Sequence, residues 1–140
     1  MEAKRPYKLE HGYPGLRLRD EVIWDAFILA NPSAFQSVAY DVHVGEPAAN
    51  AQERVRMMAI GAYEVSQWCV DVIAWDGSKE YVIEIKPNAG AGALGQALAY
   101  CELLVEAGLV GPSAVPVVLT DVISPITEQA ARLLGVLILF

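Results

Sequence analysis

Apolar residues recur at three- and four-residue intervals in LRLRDEVIWDAFILANP, where Val22, Ile23, Ala26, Phe27 and Ala30 define one face of a helix that Asn31-Pro32 ends. The pattern then changes period. In AFQSVAYDVHVGEP, Val38, Tyr40, Val42 and Val44 alternate with other residues, which predicts a strand with those four on one face, ended by Gly45 and Pro47. NAQERVRMMAIGAY, residues 50–63, fits a short helix leading into the next strand. SQWCVDVIAW and EYVIEIKP are β-rich runs separated by Asp76-Gly77-Ser78-Lys79, and the Asp-Gly pair predicts a hairpin. GALGQALAYCELLVEAG reads as a helix closed by Gly108, AVPVVLT as an apolar strand, PITEQAARLLG as a helix and VLILF as a last strand. A hairpin followed by strand, helix and strand implies an α/β fold whose mixed sheet carries helices on its faces.

Residues 1–15 stand apart from this pattern. Pro6, Gly12, Pro14 and Gly15 among mixed charges predict an N-terminal arm without a core of its own, leaving residues 16–140 as a single domain. A chain of 140 residues supports one modest core, and 54% hydrophobic against 19% charged residues argues against disorder. Part of the apolar surplus is expected to serve a homodimer interface, and VLILF is expected to be covered by a helix or a second subunit. The sequence contains no apolar run near the roughly 20 residues of a membrane span, and its first residues do not resemble a signal peptide, so a cytoplasmic location is expected.

Charge is unevenly placed. The net charge is −7, yet Lys4, Arg5, Lys8, Arg17 and Arg19 make the first nineteen residues basic and leave the remainder strongly acidic. An acidic domain disfavours broad electrostatic binding of nucleic acid, but bound metal ions can offset carboxylates within a site. Cys69 and Cys101 form no CxxC pair and only His11 and His43 supply imidazole, so both cysteines are expected to be reduced core residues and His43 structural, with no structural zinc.

The candidate chemistry lies in the hairpin. Asp71 is a lone carboxylate in an apolar strand, where an ion is costly unless paired or metal-bound. Glu84 and Lys86, two apart, share a face of the next strand, and the hairpin lets the two carboxylates converge. Asp71 and Glu84, with a backbone carbonyl such as that of Ile85 and waters, suit Mg²⁺ or its substitute Mn²⁺, and Lys86 would stand beside the ion. A plain ion pair between Asp71 or Glu84 and Lys86 is the alternative. The glycines that follow, Gly90, Gly92 and Gly95, also match a dinucleotide fingerprint, with Asp121 ending a later strand. Glu84 and Lys86 in the preceding strand and the short remaining chain count against that use. The other reading is a flexible approach for a phosphate backbone. Trp24, Trp68 and Trp75 are expected as core or rim aromatics.

Asp71, a gap of twelve residues, Glu84-Ile85-Lys86 and then a helix bearing Gln96 and Tyr100 resemble the PD-(D/E)XK nuclease superfamily, with its restriction-endonuclease-like αβββαβ core. GALGQALAY is similar to the Gln/Tyr helix of RecB-type and Holliday-junction-resolvase-like members, and Glu21 resembles the acid that many members carry on the first helix. Val70 stands where the motif's name has Pro. The resemblance implies a Mg²⁺-dependent nuclease, endo- or exonucleolytic and acting on DNA, in which Asp71 and Glu84 hold the ion, Lys86 assists the attacking water and Gln96 supports the site. An inactive descendant that binds protein or nucleic acid is the alternative, and a nucleotide-binding domain using the glycines a further one.

Overall fold

A computed structural model describes residues 3–45, 52, 55, 56 and 68–140. The helix expected over residues 50–63 lies outside the described residues apart from isolated positions. Among the described residues the elements run β1 (Arg5–Pro6), α1 (Leu18–Ala30), β2 (Ser37–Val44), β3 (Trp68–Asp76), β4 (Lys79–Ile85), α2 (Ala91–Glu106), β5 (Val115–Leu119), α3 (Pro125–Leu134) and β6 (Leu137–Leu139). The six strands form one mixed sheet in the order β1-β2-β3-β4-β5-β6. The first three pairings are antiparallel and the last two parallel.

The hairpin forms where the Asp-Gly signal puts it: Asp76 pairs with Lys79, and Gly77 takes a φ of +61° that an L side chain rarely adopts. The Ser124 hydroxyl caps α3 by accepting from Thr127 N, and Gly135 closes it in the left-handed conformation.

Two apolar layers sandwich the sheet. On one face, Trp24, Phe27 and Ile28 of α1 pack with Val38, Tyr40, Val72, Ala74, Ile83 and Ile85. On the other, Ala97, Cys101 and Leu104 of α2 cover Val42, Ile73, Val82 and Val118. The N-terminal arm contributes β1 at the sheet edge and buries Tyr7 and Tyr13 in the α1 layer.

Two sequence expectations require correction. Val38 and Tyr40 face α1 but Val42 and Val44 belong to the α2 layer, so the four do not share a face. The alternation reverses at Asp41, whose φ of +54° kinks β2 opposite the equivalent reversal between Val70 and Val72 in β3. In α1 the buried face is Ile23, Trp24, Phe27 and Ile28, while Val22 is 69% exposed. The helix turns that way because the Trp24 indole is fully buried and donates to the Tyr40 hydroxyl at 2.9 Å, and its ring stacks on Phe27.

Of the tryptophans, Trp24 and Trp75 are core residues and Trp68 is 55% exposed at the rim. At the far edge, β6 leaves Leu137 and Phe140 exposed, so the monomer only partly covers this strand. No helix among the described residues is long and apolar enough to cross a membrane.

Candidate functional site

The β3–β4 ladder ends at the Val72–Ile83 pair, and beyond it Asp71 Oδ2 accepts from the Ile85 amide at 2.9 Å. A side-chain carboxylate thus replaces the next backbone acceptor, which lets the strands part while leaving the amide satisfied. Into this opening point Asp71 and Glu84, half-buried, and the exposed Lys86. They line an open cleft of about 270 Å³ together with Gly15, Arg17, Arg19, Asp20, Cys69, Ile85, Pro87 and Gln96. Four parts of the chain therefore meet here: the end of the arm, the start of α1, the parted strands and α2.

The two carboxylates are electrostatically uncomfortable. Burial raises the pKa of Asp71 and neighbouring Asp20 adds to it, while the Ile85 amide, Arg17 and Lys86 pull it back. Glu84 is driven up by burial, then by Asp71 and Asp20, against the pull of Lys86. Glu84 Oε2 is buried with no hydrogen-bond partner among the described residues. Leaving such an oxygen unpaired costs on the order of 1–3 kcal/mol.

A divalent cation fits this donor set. Two carboxylates lining one cleft, one with an unused buried oxygen, present hard oxygen ligands that Mg²⁺ and Mn²⁺ prefer, and the charge of a cation would offset the burial and neighbouring negative charge that raise both pKa values.

Not every expected residue lies in the cleft. Asp71, Glu84, Ile85, Lys86 and Gln96 line it together, whereas Glu21 and Tyr100 are not among its lining residues. Glu21 Oε1 accepts from Tyr13 N at 3.4 Å, and Asp25 accepts from the Tyr13 hydroxyl, so these two acids of α1 hold the arm. The acid of α1 that faces the cleft is Asp20, one residue earlier. Tyr100 packs edge-on against Trp68, with ring centroids 5.7 Å apart, beside a groove lined by Gly92, Gly95 and Gln96. It remains close enough for Glu84 and Asp71 to raise its pKa, although burial is the larger cause.

Gly92 and Gly95 lie within α2 and Gly90 caps its start, so the glycines do not form the strand-to-helix turn itself. A Cβ at any of the three would meet nothing within 4 Å. That turn is instead held by Asp121 Oδ1, which accepts from Asn88 N at 2.7 Å. The preceding strand pairs antiparallel with β3, unlike the all-parallel start of a dinucleotide-binding unit.

Sequence reasoning missed Arg17, Arg19, Asp20 and Cys69 as neighbours of the carboxylates. It grouped the arginines with the basic arm, but Lys4 covers the Trp75 ring, Arg5 lies over Tyr40 and pairs with Glu10, and only Arg17 and Arg19 reach the cleft. His43, expected as a structural residue, has two potential metal-ligating neighbours that the sequence reading did not give it. It is the ladder partner of Cys69, and both cluster with Asp41.

No protein-family model and no curated protein matches the sequence. Solved structures do match the fold. A protein of unknown function, AF1548, aligns over 81% of this chain and 53% of its own, with 16% identity and a TM-score of 0.54. VC1899 from Vibrio cholerae aligns over 86% and 28%, with 15% identity and a TM-score of 0.54. EndoMS in complex with double-stranded DNA aligns over 92% and 47%, with 17% identity and a TM-score of 0.50. The chain thus spans about half or less of the length of these neighbours. With a six-stranded mixed sheet between helices and the strand order described above, the chain has a restriction-endonuclease-like α/β fold.

Proposed function

We propose that the chain is a divalent-metal-dependent nuclease domain that hydrolyses phosphodiester bonds in DNA. The observation that carries this reading is the convergence of Asp71 and Glu84 where two strands part, with Glu84 Oε2 buried and unpaired among the described residues. The likeness in fold to a protein solved on double-stranded DNA supports it. In this reading Asp71, Glu84 and the Ile85 carbonyl hold Mg²⁺ or Mn²⁺, and the ion supplies charge neutralisation at the phosphate and a more acidic water.

The chain's own groups do the remaining work. Lys86 orients the attacking water and stabilises charge developing on a phosphate oxygen. Arg17 and Arg19 bind the flanking backbone as phosphate contacts, which compensates locally for the acidity of the domain. Gln96, projecting from α2 into the same cleft, orients polar groups there, and Tyr100, one turn later on α2, anchors that helix against Trp68 of β3. The outward glycines of α2 leave a low surface over which a phosphate backbone can approach.

The test is purified protein with Mg²⁺ or Mn²⁺ against single-stranded, duplex and branched DNA. Cleavage of at least one form, abolished by chelator and by Glu84→Ala, is the expected result. Wild-type protein that binds DNA but is inert with both metals on all three forms would replace this reading with that of an inactive binding descendant.

A further inference from the structure

A second cluster of metal-ligating side chains lies beside the carboxylate pair. His43 and Cys69 are directly opposed across the β2–β3 ladder, and Asp41 stands two residues before His43. One ligand atom from each of the three lies within 4.8 Å of the other two. Asp41 Oδ2 is 3.5 Å from His43 Nε2, and the Cys69 thiol donates to Asp41 Oδ1. Zinc bonds of about 2.0–2.3 Å in tetrahedral geometry set neighbouring ligand atoms roughly 3.3–3.8 Å apart, so small side-chain adjustments bring all three around one ion.

The position of Asp41 is built into the fold. Its φ of +54° is the kink of β2, and Gly15, itself at φ +76°, packs so closely that an added Cβ would come within 2.6 Å of Asp41 Oδ1. The carboxylate is thereby confined between the arm and the ladder. All three residues are half-buried, so a cation has access while the strands hold the ligands in place.

We propose that Asp41, His43 and Cys69 bind a zinc-class transition metal, with the fourth position open to water or another ligand. The donor set decides the class of ion. Imidazole and thiolate favour Zn²⁺ and its neighbours and disfavour Mg²⁺, whereas Asp71 and Glu84 favour the reverse. On binding, the thiol proton passes to buffer and a sulfur–metal bond replaces the hydrogen bond to Asp41. The ion ties β2 to β3 two residues from Asp71 and so clamps the strand that positions the proposed catalytic carboxylate. The site stands independently of the nuclease reading, because none of its ligands is assigned to Mg²⁺.

The experiment uses chelator-treated full chain titrated with Zn²⁺ and, for spectroscopy, Co²⁺, in the presence of excess Mg²⁺. One equivalent of Co²⁺ is expected to give a thiolate-to-cobalt charge-transfer absorption that Zn²⁺ abolishes and Mg²⁺ does not. Cys69→Ser should remove that absorption, and His43→Ala and Asp41→Asn should each weaken binding at least about tenfold, while Glu84→Gln leaves it unchanged. Circular dichroism checks that each variant is folded. A second readout needs no variant: Zn²⁺ should slow alkylation of Cys69 in the wild-type protein, with the buried Cys101 as internal control. Folded wild type without thiolate absorption or protection of Cys69, or binding that follows Glu84→Gln instead of Cys69→Ser, would overturn the proposal.

Discussion

Replacing Glu84 by glutamine should stabilise the metal-free protein at alkaline pH and leave it nearly unchanged at acid pH. Burial, Asp71 and Asp20 push the Glu84 carboxyl from 4.5 up to about 8. Between those values the unfolded chain has released its proton while the folded chain still holds it. The folded state therefore binds more protons, and stability falls as pH rises. The contribution of this group is intact below pH 4.5 and is lost as pH climbs through about 8. One pH unit of displacement corresponds to about 1.4 kcal/mol, so the full displacement gives an upper bound near 5 kcal/mol. Water entering an open cleft and relaxation of the half-buried side chain reduce this, and about 2 kcal/mol is the working expectation. For a chain of this size that amounts to a Tm rise of roughly 8 °C. Thermal unfolding in chelator-containing buffer from about pH 4.5 to 9 would show the variant and wild-type curves converging at the acid end and separating at the alkaline end. Saturating Mn²⁺ should then raise the wild-type Tm and leave that of the variant largely unmoved. A variant equal to or less stable than wild type at pH 9 would refute the claim that Glu84 is held at a cost to the fold.

Lys86→Ala should lose most DNA cleavage in a Mn²⁺ assay while calorimetric metal affinity and fold remain near wild type, because the exposed ammonium acts on the barrier and not on ligation. Arg17→Ala and Arg19→Ala should each weaken DNA binding across sequences and lower the magnitude of the salt-dependence slope by about one, as measured by fluorescence anisotropy at several ionic strengths. Gly15→Ala combines a positive φ with a Cβ driven onto the Asp41 carboxylate, so denaturant titration should report a loss of about 1–3 kcal/mol.

Much of the fold was legible because its signals are local. The Asp76-Gly77 turn, the apolar runs of β3 and β4, and the Gly135 end of α3 each sit within a few residues of the structure they specify. Asp71, Glu84 and Lys86 stood out for the same reason, as polar intrusions in apolar strands. The phase of α1 was not legible, because apolar residues lie around most of its circumference and only the distant Tyr40 hydroxyl selects Trp24 as the buried position. The same ambiguity hid Asp20 behind Glu21. The β2 kink was equally hidden, since Asp41 is polar in a strand and nothing adjacent to it announces the packing of Gly15. The pairing of His43 with Cys69 depends on a register set across the whole β2–β3 ladder, which no short window of sequence contains.

The hydrogen bond from the Ile85 amide to Asp71 gives the cleft a reporter of its own. An amide proton's chemical shift follows the charge of the oxygen it faces, so one backbone resonance should trace the titration of Asp71 without substrate, label or turnover. Its exchange with deuterated solvent should register how often the parted strands open further. Because Ile85 also pairs with Leu119 in β5, any slackening of the parallel half of the sheet reaches the same resonance, and a single nucleus thus monitors both the charge state of the cleft and the rigidity of the scaffold beneath it.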